Sequence, residues 1–287
     1  MKRIDAHHHL WDLDRREQSW MTDEMATIRR SFGVDELVAE IATSSVDGTV
    51  VVQTTDDIVE TEELLDIAAA APVIVGVIGY VDIAAADVGD QLDRLLQHRA
   101  GDRLVGIRAL VQYQPDPDWL TRPAVLAGLR EVARRDLVFD LLIRIDQFPA
   151  AIAAASAVAA GRFVLDHLGK PAIGDHLWEP WATQLSALAR RENATAKLSG
   201  LVTEANWRAW TLDDLRPYVE HALTELGPQR LMFGSDWPVC TLAASYGQVV
   251  ASVDDLIHPL SAAERACIWG ATATSVYRLD RGGSRRR

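Results

Sequence analysis

Arg3-Ile4-Asp5-Ala6-His7 is a short run, with Ile4 and Ala6 as its apolar positions, that ends on an imidazole and continues as His8-His9-Leu10-Trp11. A run of that length, closed by polar residues, predicts a buried β-strand. Seven further runs of the same kind follow: Gly48 to Thr54, Val73 to Val81, Leu104 to Val111, Val138 to Ile145, Arg162 to His167, Ala194 to Ser199 and Arg230 to Ser235. Between them lie Ala- and Leu-rich stretches with charge on one side, such as Thr61 to Ala71, Asp87 to His98, Pro123 to Arg135, Phe148 to Ala160, Pro180 to Arg191, Leu212 to Leu226 and Ala243 to Ile257. Their period is helical, so the chain alternates strand and helix as parallel βα units do. Eight units without a glycine-rich dinucleotide turn predict an α/β fold of the closed (β/α)8 TIM-barrel kind rather than an open doubly wound sheet.

A chain of 287 residues allows one or two domains. No letter-level repeat and no low-complexity linker divides it, so one barrel over residues 1–280 is expected. Residues 281–287 hold four arginines in seven positions and are expected to form a basic, solvated, disordered tail. With 48% hydrophobic and 24% charged residues and a mean hydropathy of -0.01, the composition is that of a globular protein, and no apolar run approaches membrane-spanning length. The net charge of -12 repels phosphate backbones and argues against a nucleic-acid partner. Asp5 and three histidines interrupt the region where a secretion signal would need apolar residues, so a cytoplasmic location is expected. Cys240 and Cys267 match no disulfide framework and no paired-cysteine zinc spacing.

A barrel places its active site at the carboxyl ends of the strands. Alternation along the first strand sends His7 and His9 to one side and His8 to the other, so two imidazoles converge, a common way to hold a metal ion. His167 ends the sixth run, and Asp236 ends the eighth just before Trp237-Pro238. Singly, a histidine there is more often structural and an aspartate as readily a turn or cap residue. Together the four form a constellation of ligands or proton carriers at one rim.

Asp5-Ala6-His7-His8-His9, Gly106-Ile107-Arg108, Pro115-Asp-Pro-Asp-Trp-Leu120, Leu165-Asp-His-Leu-Gly-Lys-Pro171, Lys197-Leu-Ser-Gly-Leu-Val-Thr203 and Phe233-Gly-Ser-Asp-Trp-Pro238 together resemble the amidohydrolase superfamily. More narrowly they are similar to its lactonase branch, of L-fuconolactonase, L-rhamnonolactonase and pyrone-dicarboxylate lactonase type. The resemblance runs from Arg3 to Tyr277 and implies a barrel hydrolase that opens a lactone ring. His7 and His9 match the paired histidines of the first strand, His167 the later histidine, and Asp236 the aspartate that activates water. Where fully metallated members carry a further histidine and a bridging lysine or glutamate, this chain presents Arg108 and Arg144, which disfavours a binuclear centre.

The resemblance implies a hydrolase in which Asp236 is the base. His7, His9 and His167, with Asp236, either hold one divalent ion, zinc or manganese, or polarise the carbonyl without metal. Arg108, Arg144 and Lys170 are the candidate substrate-binding cations. Few cations and the nearby Glu204 and Asp213 favour a sugar aldonolactone over a dicarboxylate, in keeping with carbohydrate catabolism. Trp11, Trp119, Trp178, Trp181, Trp207, Trp210 and Trp237 fall in or beside loops, where some could stack on a sugar while most pack. The alternatives are a metal-dependent decarboxylase of the same superfamily and a non-catalytic sugar-binding barrel. Self-association through helix faces stays open as well.

Overall fold

The computed structural model describes residues 2–280. The eight expected strands form one parallel sheet in the order β1 to β8: β1 Ile4–His8, β2 Gly48–Val52, β3 Ile74–Gly79, β4 Leu104–Ala109, β5 Val138–Leu141, β6 Arg162–Leu165, β7 Ala194–Leu198 and β8 Leu231–Phe233. The helices between them are α1 Val34–Ala42, α2 Ile58–Ala70, α3 Val88–Leu96, α4 Pro123–Arg134, α5 Phe148–Ala157, α6 Trp181–Ala189, the short α7 Leu201–Glu204, and α8 Leu212–Leu226. After β8 come α9 Tyr246–Leu256, α10 Ala262–Ala266 and α11 Thr272–Tyr277. This is a single-domain (β/α)8 barrel. The arginine-rich segment 281–287 lies outside the described residues.

Seven of the eight sequence runs overshoot the strands at their carboxyl ends, by as much as four residues in β5, whereas the first stops one residue short of the end of β1. Inter-strand hydrogen bonding stops where the barrel rim opens, although the apolar pattern continues into the loops. Helices α1, α7, α10 and α11 were not expected from periodicity. Helix α10 nevertheless starts with a capping box between Ser261 and Glu264, which satisfies the free N–H groups of its first turn.

Outward strand residues such as Val51, Val77, Ile107, Phe139, Phe163 and Phe233 join the buried helix faces in one large core. A second cluster consists of Ile4, Ala6, Val50, Val52, Ile78, Val105, Val138, Val164 and Met232 with Ala273 and Tyr277. Side chains drawn from strands all round a closed sheet can meet only inside it, so this cluster fills the barrel and α11 plugs one end.

The seam between β1 and β8 is closed by Asp236 N–H donating to the His7 carbonyl at 2.8 Å and His9 N–H to the Trp237 carbonyl at 2.7 Å. Asp5 reinforces it. Its Oδ1 accepts N–H bonds from Ser235 at 2.8 Å and His7 at 3.1 Å, and its Oδ2 accepts the Tyr246 hydroxyl at 3.0 Å. Burial pushes this carboxyl up to about 6, although those hydrogen bonds oppose the rise. The seam thus fixes the first and last strand ends relative to each other, and both carry site residues.

Candidate active site

His7 and His9 point to the same side of β1, as alternation requires, with their Nε2 atoms 3.2 Å apart. His8 turns away to the Thr49 hydroxyl at 3.0 Å and serves the packing of β1 on β2. His9 Nδ1 lies 2.8 Å from the Val52 carbonyl. A carbonyl only accepts, so Nδ1 carries the hydrogen and Nε2 turns a lone pair to the pocket.

His167 and Asp236 lie just past β6 and β8, on backbone that L-residues seldom adopt. Residues His167, Leu168, Gly169 and Lys170 have φ of 54°, 51°, 74° and 56°, a complete left-handed turn, and Asp236 has φ of 59°. Each such non-glycine residue costs roughly 1–2 kcal/mol, and strain of this kind collects where a side chain must be aimed at a site. Gly200, at φ of 65°, lets the loop after β7 pass beneath them. A Cβ there would lie 2.6 Å from His167 Nδ1 and 3.2 Å from Asp236 Oδ2.

The turn and the seam bring the four side chains together. Asp236 Oδ1 is 3.8 Å from His7 Nε2, 3.6 Å from His9 Nε2 and 4.0 Å from His167 Nε2, and all four residues are buried. Ser199 supports His167 through a 2.9 Å contact to Nδ1. Burial draws His167 down to about 4 and His7 well below its usual range, so both rings are neutral at pH 7. Burial acts to raise Asp236, but the facing His167, the bond from His9 and the Lys170 cation outweigh it and hold the carboxyl below the usual range.

Beneath this cluster lies a polar layer that the sequence reading did not anticipate. Lys197 on β7, with no solvent exposure, places Nζ 2.5 Å from Asp140 Oδ2, 2.9 Å from Asp166 Oδ1 and 3.1 Å from His7 Nδ1. The Tyr277 hydroxyl donates to Asp140 at 3.1 Å. Arg108 Nη1 lies 2.9 Å from Asp166 Oδ2 and 3.4 Å from His7 Nε2, and its Nη2 donates to the Gln53 carbonyl. Two cations balance two carboxylates in this layer, as buried charges require. The available signal was a charged residue inside an apolar strand run, as in Val138-Phe-Asp-Leu141 and Ala194-Thr-Ala-Lys-Leu198.

The donor set fits one divalent ion. Ligand atoms on a tetrahedral ion with bonds near 2.1 Å stand roughly 3.4 Å apart. The separations of 3.2, 3.8 and 3.6 Å among His7, His9 and Asp236 need little adjustment to reach that. His7, His9 and Asp236 form one group able to hold a metal, and His7, Asp166 and His167 another. The second is penetrated by Lys197 and Arg108, whose charges oppose an ion there.

The pocket above the cluster, about 150 Å³, is lined by His9, Arg108, His167, Lys170 and Asp236 on its polar side, with Thr54, Gln112 and Glu204. Trp20, Met25, Leu110, Leu142, Val239 and Leu242 form an apolar side. Of the expected cations, Arg108 is buried beneath the rim and Lys170 reaches the pocket. Arg144 lies three residues beyond the end of β5, pairs with Asp146 at 2.8 Å, and lines an adjoining hollow instead. Among the loop tryptophans, Trp207 lines the pocket while Trp11, Trp119, Trp181 and Trp237 are packed in the core. Trp20 reaches the pocket from the loop after β1, where sequence gave no particular reason to select it.

Residues 4–279 match a protein family described as amidohydrolase. A curated L-fucono-1,5-lactonase of Burkholderia ambifaria is 34% identical over 97% of this chain and 96% of its own length. One of Burkholderia multivorans is 36% identical over 96% of both chains. A solved structure of a Burkholderia multivorans amidohydrolase with bound zinc superposes with a TM-score of 0.92 at 34% identity, covering 97% of this chain and all of that one.

Proposed function

The chain belongs to the amidohydrolase family, and from that premise we propose that it is a hydrolase that opens a lactone ring, with a sugar aldonolactone as substrate. The observation that carries this reading is the buried Asp236 carboxylate, held below the usual range, with His7, His9 and His167 within 4.0 Å of its Oδ1 at a pocket lined by both apolar and hydrogen-bonding residues. The two lactonase relatives, similar over nearly their whole length, support the same chemistry.

Hydrolysis of a cyclic ester needs an activated water, stabilisation of the acyl oxygen and a proton for the departing ring oxygen. Asp236 accepts a proton from water as the water oxygen bonds to the carbonyl carbon. The oxygen that gains charge lies on the side of Arg108, whose guanidinium is held in place by Asp166 and Gln53. When the acyl bond to the ring oxygen breaks, Asp236 returns the proton to that oxygen, leaving a hydroxy acid. Lys170 and Gln112 orient the ring from the polar side. His7, His9 and Asp236, with His167 beside them, would hold a single zinc-type ion, which supplies carbonyl polarisation and an acidified water.

A cytoplasmic enzyme acting on a small neutral molecule completes the reading. Among the described residues no helix is long and apolar enough to cross a membrane, and the charge of -12 disfavours nucleic acid. The test is proton release from a panel of aldonolactones and pyrone dicarboxylates, with and without chelator and added zinc or manganese. Turnover that falls by at least about 1,000-fold in Asp236→Asn, with melting temperature unchanged, supports the mechanism. No turnover on any lactone, with carbon dioxide release from an aromatic or unsaturated acid, would replace it with the decarboxylase reading.

A further inference from the structure

A second charged pair, Lys170 and Glu204, lines the pocket. Lys170 ends the left-handed turn that also carries His167, and Glu204 ends α7 just beyond Gly200. Lys170 Nζ lies 3.3 Å from Glu204 Oε1 and 3.3 Å from Gln112 Oε1. Both backbones are therefore held by the segments that aim His167 and pass beneath Asp236. Burial raises the Glu204 carboxyl above its usual range, with Asp236 adding to the rise and Lys170 opposing it. An ammonium carries three donors, of which Lys170 gives one to Gln112 Oε1 while meeting Glu204 Oε1 as an ion pair.

An acceptor and a donor held this way, a few ångströms apart, match adjacent hydroxyls, each of which donates once and accepts besides. Glu204 also adds a second negative charge to a pocket that already contains Asp236. In a site of low dielectric, like charges repel strongly, so a substituent carboxylate is disfavoured there. The product of lactone opening is itself a carboxylate, and the same charge would hasten its departure.

We propose that Glu204, held by Lys170, is the specificity-determining residue of this pocket: the pair reads vicinal hydroxyls of a neutral lactone, and the Glu204 charge rejects lactones that carry carboxylates. This rests on the lactonase reading above and assigns its substrate class to named residues.

The experiment compares wild type, Glu204→Gln and Lys170→Met on a neutral aldonolactone and on 2-pyrone-4,6-dicarboxylate, with kcat and KM separated and inhibition by the aldonate product measured. In Glu204→Gln, KM for the neutral lactone rises roughly 10-fold with kcat within about 2-fold, because the lost contact serves binding in both ground and transition state. The preference for the neutral over the anionic lactone falls by at least about 10-fold, and the aldonate inhibits about 10-fold more tightly, because one like charge facing the carboxylate is gone. Lys170→Met moves the preference the opposite way, since it leaves Glu204 uncompensated. A purely structural role would shift both variants in the same direction. Wild-type turnover with an unchanged preference in both variants overturns this proposal and leaves the lactonase reading standing. No wild-type turnover on either lactone removes both.

Discussion

Lys197 Nζ lies 2.9 Å from Asp166 Oδ1, and neither side chain has any solvent exposure. This ion pair sits in the barrel interior directly under His7, and with Asp140 and Arg108 it makes a balanced layer on which the site rests. Removal of one partner leaves a buried charge uncompensated, which costs roughly 3–5 kcal/mol. Lys197→Met is expected to lower stability by about that amount in a denaturant titration. A loss below about 1 kcal/mol would mean that the layer is hydrated or neutral rather than ionic.

Gly200 is placed so that a methyl group would press on the His167 ring at 2.6 Å. Its φ of 65° adds the left-handed penalty of an L-residue. Gly200→Ala should keep the barrel but displace His167 and Asp236, and a displacement near 1 Å can cost about 100-fold in rate. The expected outcome is a kcat/KM lower by 10- to 100-fold with circular dichroism unchanged. Wild-type kinetics would show that the loop relaxes instead.

The buried histidines make the fold acid-sensitive. Burial lowers His8 to about 3, His167 to about 4 and His7 well below its usual value. Their folded values lie below the unfolded value of 6.5, so the unfolded chain binds more protons once pH falls beneath 6.5. Stability is fully present above pH 6.5 and is lost toward pH 4, by about 1 kcal/mol per pH unit for each ring. Asp5 and Asp140, both raised to about 6, act in the opposite sense, since their folded forms hold protons that the unfolded chain releases above about pH 4. Glu204 and Asp56, raised by burial, act with them, while Asp166 and Asp236, held below the usual range, act with the rings, so melting temperature should still fall from pH 7 to pH 4.5. A flat profile would contradict the neutral, buried state of the histidines.

The metal expectation is checked without reference to turnover. If His7, His9 and Asp236 hold one ion, titration calorimetry should give one zinc per chain. His9→Ala should weaken it by more than about 100-fold, since even outer partners of a ligand cost 10- to 100-fold. Two zinc ions per chain would mean that Lys197 and Arg108 do not block the second group.

Much of this architecture is legible in the chain. The eight apolar runs appear as eight strands because β-branched segments flanked by turn residues have no competing helical period. His7 and His9 converge because alternation is a property of extended backbone itself. Strand ends were less legible: β5 stops at Leu141, and Arg144 therefore leaves the pocket, since hydrogen bonding to β4 and β6 ends there. Glu204 appeared in the sequence only as a negative charge near the expected loops.

From sequence alone came the kind of fold, the rim that carries the candidate site and the four side chains that converge there, because all follow from local backbone periodicity and from motifs. The tertiary structure alone decided depth and pairing. That Lys197 and Asp140 lie inside the barrel as an ion pair, that Arg108 is anchored by Asp166, and that Lys170 meets Glu204 across a left-handed turn depend on segments far apart in the chain. Periodicity specifies the face on which a side chain lies, whereas barrel closure and register specify which other side chain it meets.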